Sequence, residues 1–285
     1  MTFCTYTEAL CDKSINNSLL LLALNRDIAN LISNNTSLES PASSEPEEVG
    51  HLRNSNKPND PMEASTINIR LADEIRERCP EFRGLAVLAN VHNTAYCEEL
   101  WKEIDRFATE YHARYTTESI KDMRPIQATR QAYKRCGKDP SRYRPSSEAL
   151  CRRILKGDAL YQIDTLVDLI NLVSIASGYS IGGFDADKIE GDTLTLGIGK
   201  KDEPYEGIGR GTLNIEGMPV YRDAKGGIGT PTSDNERTKL SLGTTRLLAI
   251  INGYSGREGL PEAGHYLQEL LRRYAGSDGG EIIEF

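Results

Sequence analysis

No Cys-x-x-Cys pair occurs in this sequence, and none of its six cysteines (Cys4, Cys11, Cys79, Cys97, Cys136, Cys151) has a histidine at zinc-finger spacing. That excludes a recognisable structural zinc site, and a chain of 285 residues needs no disulfide framework to hold a core. Apolar runs are short. The longest, Leu19 to Leu24, stops at Asn25-Arg26-Asp27, far below the length of a membrane span. No basic stretch precedes it and no small-residue cleavage site follows, so no secretory signal is expected. G-K-[ST], H-E-x-x-H and G-x-S-x-G are all missing, and the four histidines (His51, His92, His112, His265) have no spacing that suggests metal ligation. Positive charge is not in excess either. A formal charge of −8 and a pI near 5.2 argue against a broad basic surface that wraps long nucleic acid. The expectation is a soluble, cytoplasmic protein that needs no metal and no cofactor.

Composition divides the chain near residue 61. Residues 1–61 hold 9 Asn and 8 Ser around the stretch Ser40-Pro41-Ala42-Ser43-Ser44-Glu45-Pro46, which cannot bury enough apolar surface to offset chain entropy. They read as a disordered or non-native extension, with Met62 a candidate start and one possible short helix over Leu19–Ile32. Residues 62–275 read as one globular domain closed by a C-terminal helix, and 276–285 as a flexible tail. Helical spacing is seen over Ile67–Arg78, Glu98–Tyr111, a segment expected to be capped by Ser146-Ser147 with Leu150, Cys151, Ile154 and Leu155 inward, Ile163–Ala176 and Pro261–Tyr274. Strands are expected at Leu85–Val91, Thr193–Ile198, Gly217–Tyr221 and Leu247–Ile251, with a turn at Asp223–Gly227. Gly207–Gly211 lacks G-x-G-x-x-G spacing and reads as a hairpin turn. Helices and strands mix without βαβ alternation, which points to an α+β fold with a mixed sheet flanked by helices.

Three features carry chemistry. Arg124 to Lys156 holds ten Lys/Arg against Asp139 and Glu148, a local +8 in an acidic protein. With Tyr133 and Tyr143 as stacking surfaces it is a candidate phosphate-binding patch, or else a solvated surface with internal salt bridges. Asp164, Asp168 and Asn171 form a polar stripe, at i, i+4 and i+7, on the Ile163–Ala176 helix. The third feature is the charged loop Asp234-Asn235-Glu236-Arg237-Thr238.

The run Ile163-Asp164-Thr165-Leu166-Val167-Asp168-Leu169-Ile170-Asn171-Leu172-Val173, then Gly178, then Ile181-Gly182-Gly183-Phe184-Asp185-Ala186-Asp187-Lys188-Ile189-Glu190-Gly191, resembles the editing (B3/B4) domain of the bacterial phenylalanyl-tRNA synthetase beta subunit. Lys138–Leu150 is similar to what freestanding members carry in place of synthetase modules. The resemblance spans Ile67 to Tyr254 and is most specific from Asp139 to Gly191. It implies a B3/B4-like fold and hydrolysis, in trans, of the ester of a mischarged tRNA, carrying tyrosine or another non-cognate or non-protein amino acid. The partner would be the acceptor end of that tRNA, with no membrane involved. The alternative is a non-catalytic module that binds tRNA or an amino acid.

By the same resemblance Asn171 matches the family's Asn, its neighbouring Thr is Ile170, and its His is replaced by Gly182. Its side-chain-sensing Glu falls at Glu236. Asn171, Gly182 and Gly183 are the expected catalytic residues, the glycines through backbone N–H groups that would stabilise an oxyanion. Asp168, Asp185, Gly226, Gly227, Glu236, Arg237 and Thr238 are the expected substrate contacts. Arg135, Lys138, Arg142, Tyr143, Arg144, Arg152 and Arg153 are the expected tRNA contacts. Asn171 and Glu236 are expected to converge on one pocket roofed by Gly182–Asp185.

Overall fold

The computed structural model describes residues 67–285. The expectations for residues 1–61, the Leu19–Ile32 helix among them, lie outside the described residues. Two four-stranded sheets and a layer of helices make up the fold, and the α+β expectation holds. The central sheet has the order β10 (Glu281–Glu284), β2 (Arg83–Asn90), β9 (Arg246–Gly253), β3 (Ile181–Asp185), antiparallel throughout. The second has the order β1 (Asn68–Leu71), β4 (Thr193–Ile198), β7 (Pro219–Arg222), β8 (Gly227–Gly229), with β1 parallel to β4. The strands β5 (Glu206–Gly207) and β6 (Gly211–Thr212) form the hairpin expected at the glycine-rich turn.

Strand alternation sorts the central sheet's side chains into two cores. Leu85, Val87, Ala89, Leu247, Ala249 and Ile251 face the helices α2 (Glu98–Arg114), α5 (Thr165–Ser177) and α6 (Leu260–Tyr274). Ala86, Leu248, Ile250 and Phe184 face the second sheet and α3 (Arg124–Cys136). Closeness of the α6 contact depends on Gly264, where a Cβ would stand 2.8 Å from Leu85 Cδ2. Overpacking of that kind costs about 1–3 kcal/mol.

Two local signals set α5, the helix on which the polar stripe lies. Asp164 is its N-cap and accepts from the Val167 N–H at 2.9 Å, a contact of the type worth about 1 kcal/mol. Gly178 ends it with φ of 77°, in the left-handed region. The helix α4 (Ser146–Leu155) starts without a serine cap: Pro145 is the N-cap residue, and Ser147 Oγ pairs with Ser180 Oγ at 3.2 Å.

Two expectations are corrected. Ile67–Arg78 is strand β1 followed by the short helix α1 (Asp73–Arg78), not one helix. Ile67 and Ile69 are buried while Asn68 and Arg70 are exposed, so a period of two coincides with the helical spacing of Ile67, Leu71 and Ile75. The expected tail 276–285 returns to the sheet as β10, where Ile282 and Ile283 pair with Val87 and Ala86. Phe285 lays its ring over Gly84, where a Cβ would stand 2.1 Å from it.

Candidate functional site

The edge strands of the two sheets, β3 and β8, meet at the loop 230–235. Ser180 O accepts from Asn252 N, which fixes the parity of β3 against β9. By that parity the backbone of Gly182 faces β9, and the N–H of Gly183 faces the open edge. There it donates to Asp234 Oδ2 at 3.1 Å. The loop is a side-chain turn, with Thr230 Oγ1 accepting from Ser233 N at 3.1 Å. It delivers Asp234 to a bridge with Gly229 on β8.

Two glycines, Gly182 and Gly229, make room for the Asp234 carboxyl. A Cβ at Gly182 would stand 3.2 Å from Oδ1 and one at Gly229 3.0 Å, and both would strike the Phe184 ring at 2.7 and 2.4 Å. On the other face of β3, a Cβ at Gly183 would stand 2.7 Å from Ile170 Cδ1. Asp234 is partly accessible, faces an apolar ring and bare backbone, and has the Gly183 N–H as its hydrogen-bond donor; Oδ1 accepts from no described residue. Desolvation pushes its carboxyl up to about 7, against the Gly183 hydrogen bond. An under-solvated carboxylate of this kind is a receptor for a donated hydrogen bond or a cation.

The resemblance puts the sensing carboxylate of this loop at Glu236. Its side chain instead turns to the β5–β6 hairpin, where it accepts from Gly209 N at 3.1 Å and pairs with Lys239. Those two contacts, Lys239 first, hold its carboxyl below the usual range. Asn171 is half-buried on α5 and makes no side-chain hydrogen bond among the described residues. No described contact joins it to Glu236. Gly182 has no space for a side chain, and its N–H lies on the β9 side, where the ladder uses it.

Most of the other expected substrate contacts are engaged within the fold. Asp168 is buried and accepts from Trp101 Nε1 at 2.8 Å and Ile163 N at 3.1 Å; burial pushes it up to about 6 against those bonds. The stripe of Asp164 and Asp168 is thus a cap and a buried acceptor, not a solvated face. Asp185 accepts from Thr244 Oγ1 at 2.9 Å and pairs with Lys188 at 3.1 Å. Arg237 grips Asp223 through two bonds of 2.9 and 2.8 Å, and Asp223 Oδ1 in turn accepts from Gly226 N at 3.1 Å. Burial works against the Asp223 charge, yet Arg237 and the turn N–H groups hold its carboxyl below the usual range. A Cβ at Gly227 would meet the Tyr205 ring at 2.9 Å. Thr238 is fully buried, and its hydroxyl has no partner among the described residues.

The basic block divides in the same way. Lys138 is buried, donates to Asn214 O and Glu216 O at 2.7 and 2.9 Å, and lies 3.9 Å over the Tyr143 ring; burial lowers its pKa. Arg153 stacks on Tyr161. Arg130, Arg144 and Arg152 gather on Glu148, while Arg135 and Arg142 are exposed. A separate cavity of about 400 Å3, between α2 and the segment after α4, is lined by Trp101, Ile104, His112 and Leu160 and holds none of the expected residues. Among the described residues no group of three or more His, Cys, Asp and Glu could hold a metal, and no helix is long and apolar enough to cross a membrane.

Asp234 is the residue sequence reading missed. Beside two neighbours of mixed charge it looks like part of an ordinary solvated loop, and only the sheet edge shows which loop position turns inward.

Residues 128–267 match the model of the B3/4 domain family, so the chain contains a B3/B4-type domain, from within α3 to within α6. Among solved structures the chain is similar to an N-terminal fragment of the phenylalanyl-tRNA synthetase beta-subunit from Pyrococcus horikoshii, at 13% identity and a TM-score of 0.44. The similarity covers 79% of this chain and 52% of that one, so the chain spans about half of the fragment's length. No curated protein matches the chain.

Proposed function

We propose, for a chain that contains a B3/4 domain, a cytoplasmic aminoacyl-tRNA deacylase that acts in trans and uses the Asp234 niche to hold the misattached amino acid. The domain match supports a tRNA-related role. The support for a ligand is Asp234 itself, a partly accessible carboxyl raised to about 7 whose Oδ1 accepts from no described residue, set against the bare backbone of Gly182 and Gly229. A donor on the amino acid, its α-ammonium or a side-chain N–H or O–H, meets Oδ1 while the Gly183 N–H keeps Oδ2.

An aminoacyl ester is already activated, so the protein's share is placement of the ester and a water. The water oxygen bonds to the carbonyl carbon and the ester C–O bond breaks. The released ribose oxygen takes the proton, with the vicinal hydroxyl of the terminal ribose as the shuttle. Asn171, with its amide unengaged, is the side chain on α5 available to orient that water or the ribose.

The test is competition between tRNAs carrying different amino acids. Asp234→Asn should change which ester is lost fastest, because a donor read by a carboxylate is discriminated by about 1–3 kcal/mol when left unpaired. Unchanged preference in that variant would remove Asp234 from the site. A second reading, a non-catalytic tRNA- or amino-acid-binding module, draws on Gly182, which stands where the resembled family has His and has no room for a side chain.

A further inference from the structure

Glu148 lies in the first turn of α4, is 2% exposed, and is met by three guanidiniums. Arg152 Nε, one turn along the same helix, is 2.8 Å from Oε1; Arg130 Nη1, from α3, is 2.8 Å from Oε2; Arg144 Nε, from the preceding loop, is 3.6 Å from Oε1. Glu203 and Asp223 each hold a single guanidinium, from Arg222 and Arg237, and Arg273 is shared by two carboxylates, Glu103 and Glu269. Here three positive charges share one negative charge. The surplus faces solvent, since the three arginine side chains are 30%, 47% and 27% exposed. Nη2 of Arg130 and both terminal nitrogens of Arg144 and Arg152 donate to no described residue. Exposed Glu118 also lies within electrostatic reach of Arg152, at the rim of the group.

We propose that Glu148 is a positioning residue that fans Arg130, Arg144 and Arg152 into a seat for a backbone phosphate of tRNA, which rests on the reading above that tRNA is the partner. A planar guanidinium presents paired N–H donors that match phosphate oxygens. The buried carboxylate fixes the heads before the ligand arrives, so their rotamer freedom is lost on folding and not on binding. An arriving phosphate also relieves the repulsion among the three cations.

The test is binding of fluorescently labelled tRNA to the full chain across a KCl series. Arg144→Gln and Arg130→Gln should each weaken binding several-fold and lower the slope of log K against log salt by up to about 1, the value for the one phosphate they share. Arg257→Gln, at an exposed pair with Glu284, should leave both unchanged. Glu148→Gln gives the sign that separates positioning from charge. It makes the patch more positive, so attraction alone predicts tighter binding, whereas positioning predicts weaker binding. Tighter binding of Glu148→Gln, or full affinity and slope in Arg144→Gln, would overturn the assignment, and the second comparison stands even if Glu148→Gln fails to fold. Ester loss followed on the same tRNA keeps the two proposals apart. A parent that binds with the expected slope changes but hydrolyses nothing refutes the deacylase and supports this seat. A parent that hydrolyses the ester while Arg144→Gln binds normally refutes the seat alone.

Discussion

Replacing Asp234 by Asn removes a charge the fold holds under strain, and the sign of the result depends on pH. The carboxyl rises from its ordinary 3.8 to about 7. Its folded-state pKa is therefore raised, so the folded protein binds the extra proton between those limits. Stability attributable to this group is greatest below 3.8 and is lost as pH climbs through 7. Fully expressed, the rise corresponds to about 4 kcal/mol against the folded state at high pH. Asp234 is partly accessible, and solvent screening should leave about 2 kcal/mol of that. Asparagine keeps an acceptor for the Gly183 N–H and never ionises. Asp234→Asn should thus melt about 4–8 °C above the parent at pH 8, since a domain of this size gains about 2–4 °C per kcal/mol. Near pH 4 the two should coincide. Thermal melts from pH 4 to 8.5 by circular dichroism read both limits. A variant less stable than the parent at pH 8, or an offset that is the same at every pH, would refute the desolvation argument.

Other outcomes follow from single contacts. Trp101→Phe deletes a donor to buried Asp168 and should cost about 1–3 kcal/mol in urea unfolding while raising the Asp168 pKa further above 6. Lys138→Met leaves the Asn214 and Glu216 carbonyls unpaired and should lower stability by a similar amount, about 1–3 kcal/mol, with the salt slope of tRNA binding unchanged. Deleting residues 281–285 uncovers the β2 edge and the Gly84 site under Phe285, and should lower Tm and promote aggregation detectable by light scattering. Removing residues 1–61 should leave Tm unchanged; a drop of several degrees would show that they support the folded unit.

Legibility in the sequence follows the range of the interactions. Asp164 and Gly178, which bound α5, act within a few residues of their own helix, and that helix reads almost to the residue. The strand at Thr193–Ile198 shows its alternation outright. β1 does not, because Ile67, Leu71 and Ile75 satisfy a helical period by coincidence, and only the pairing with β4 decides. β10 is hidden for the same reason: Glu281–Glu284 becomes a strand through its partner β2, 190 and more residues earlier. The candidate site divides similarly. The resemblance puts Gly182 and Gly183 at the site, and the structure sets their backbone beside the Asp234 carboxyl. Which acid of Asp234 and Glu236 faces them is set by the Thr230 turn and the Gly229 bridge. Neither is visible along the chain. In the basic block, spacing cannot tell Lys138, spent on two carbonyls, from Arg144, whose terminal nitrogens donate to nothing described.

The proposed role of the Asp234 niche is to hold the amino acid of a mischarged tRNA while its ester is hydrolysed. The direct measurement is loss of radiolabelled amino acid from a panel of correctly and incorrectly charged tRNAs, with parent protein and Asp234→Asn side by side. The parent should release amino acid from at least one mischarged tRNA faster than from its correctly charged counterpart, and Asp234→Asn should lose or redirect that preference. Esters that decay in the presence of the parent at the rate of buffer alone, across the whole panel, would contradict that role.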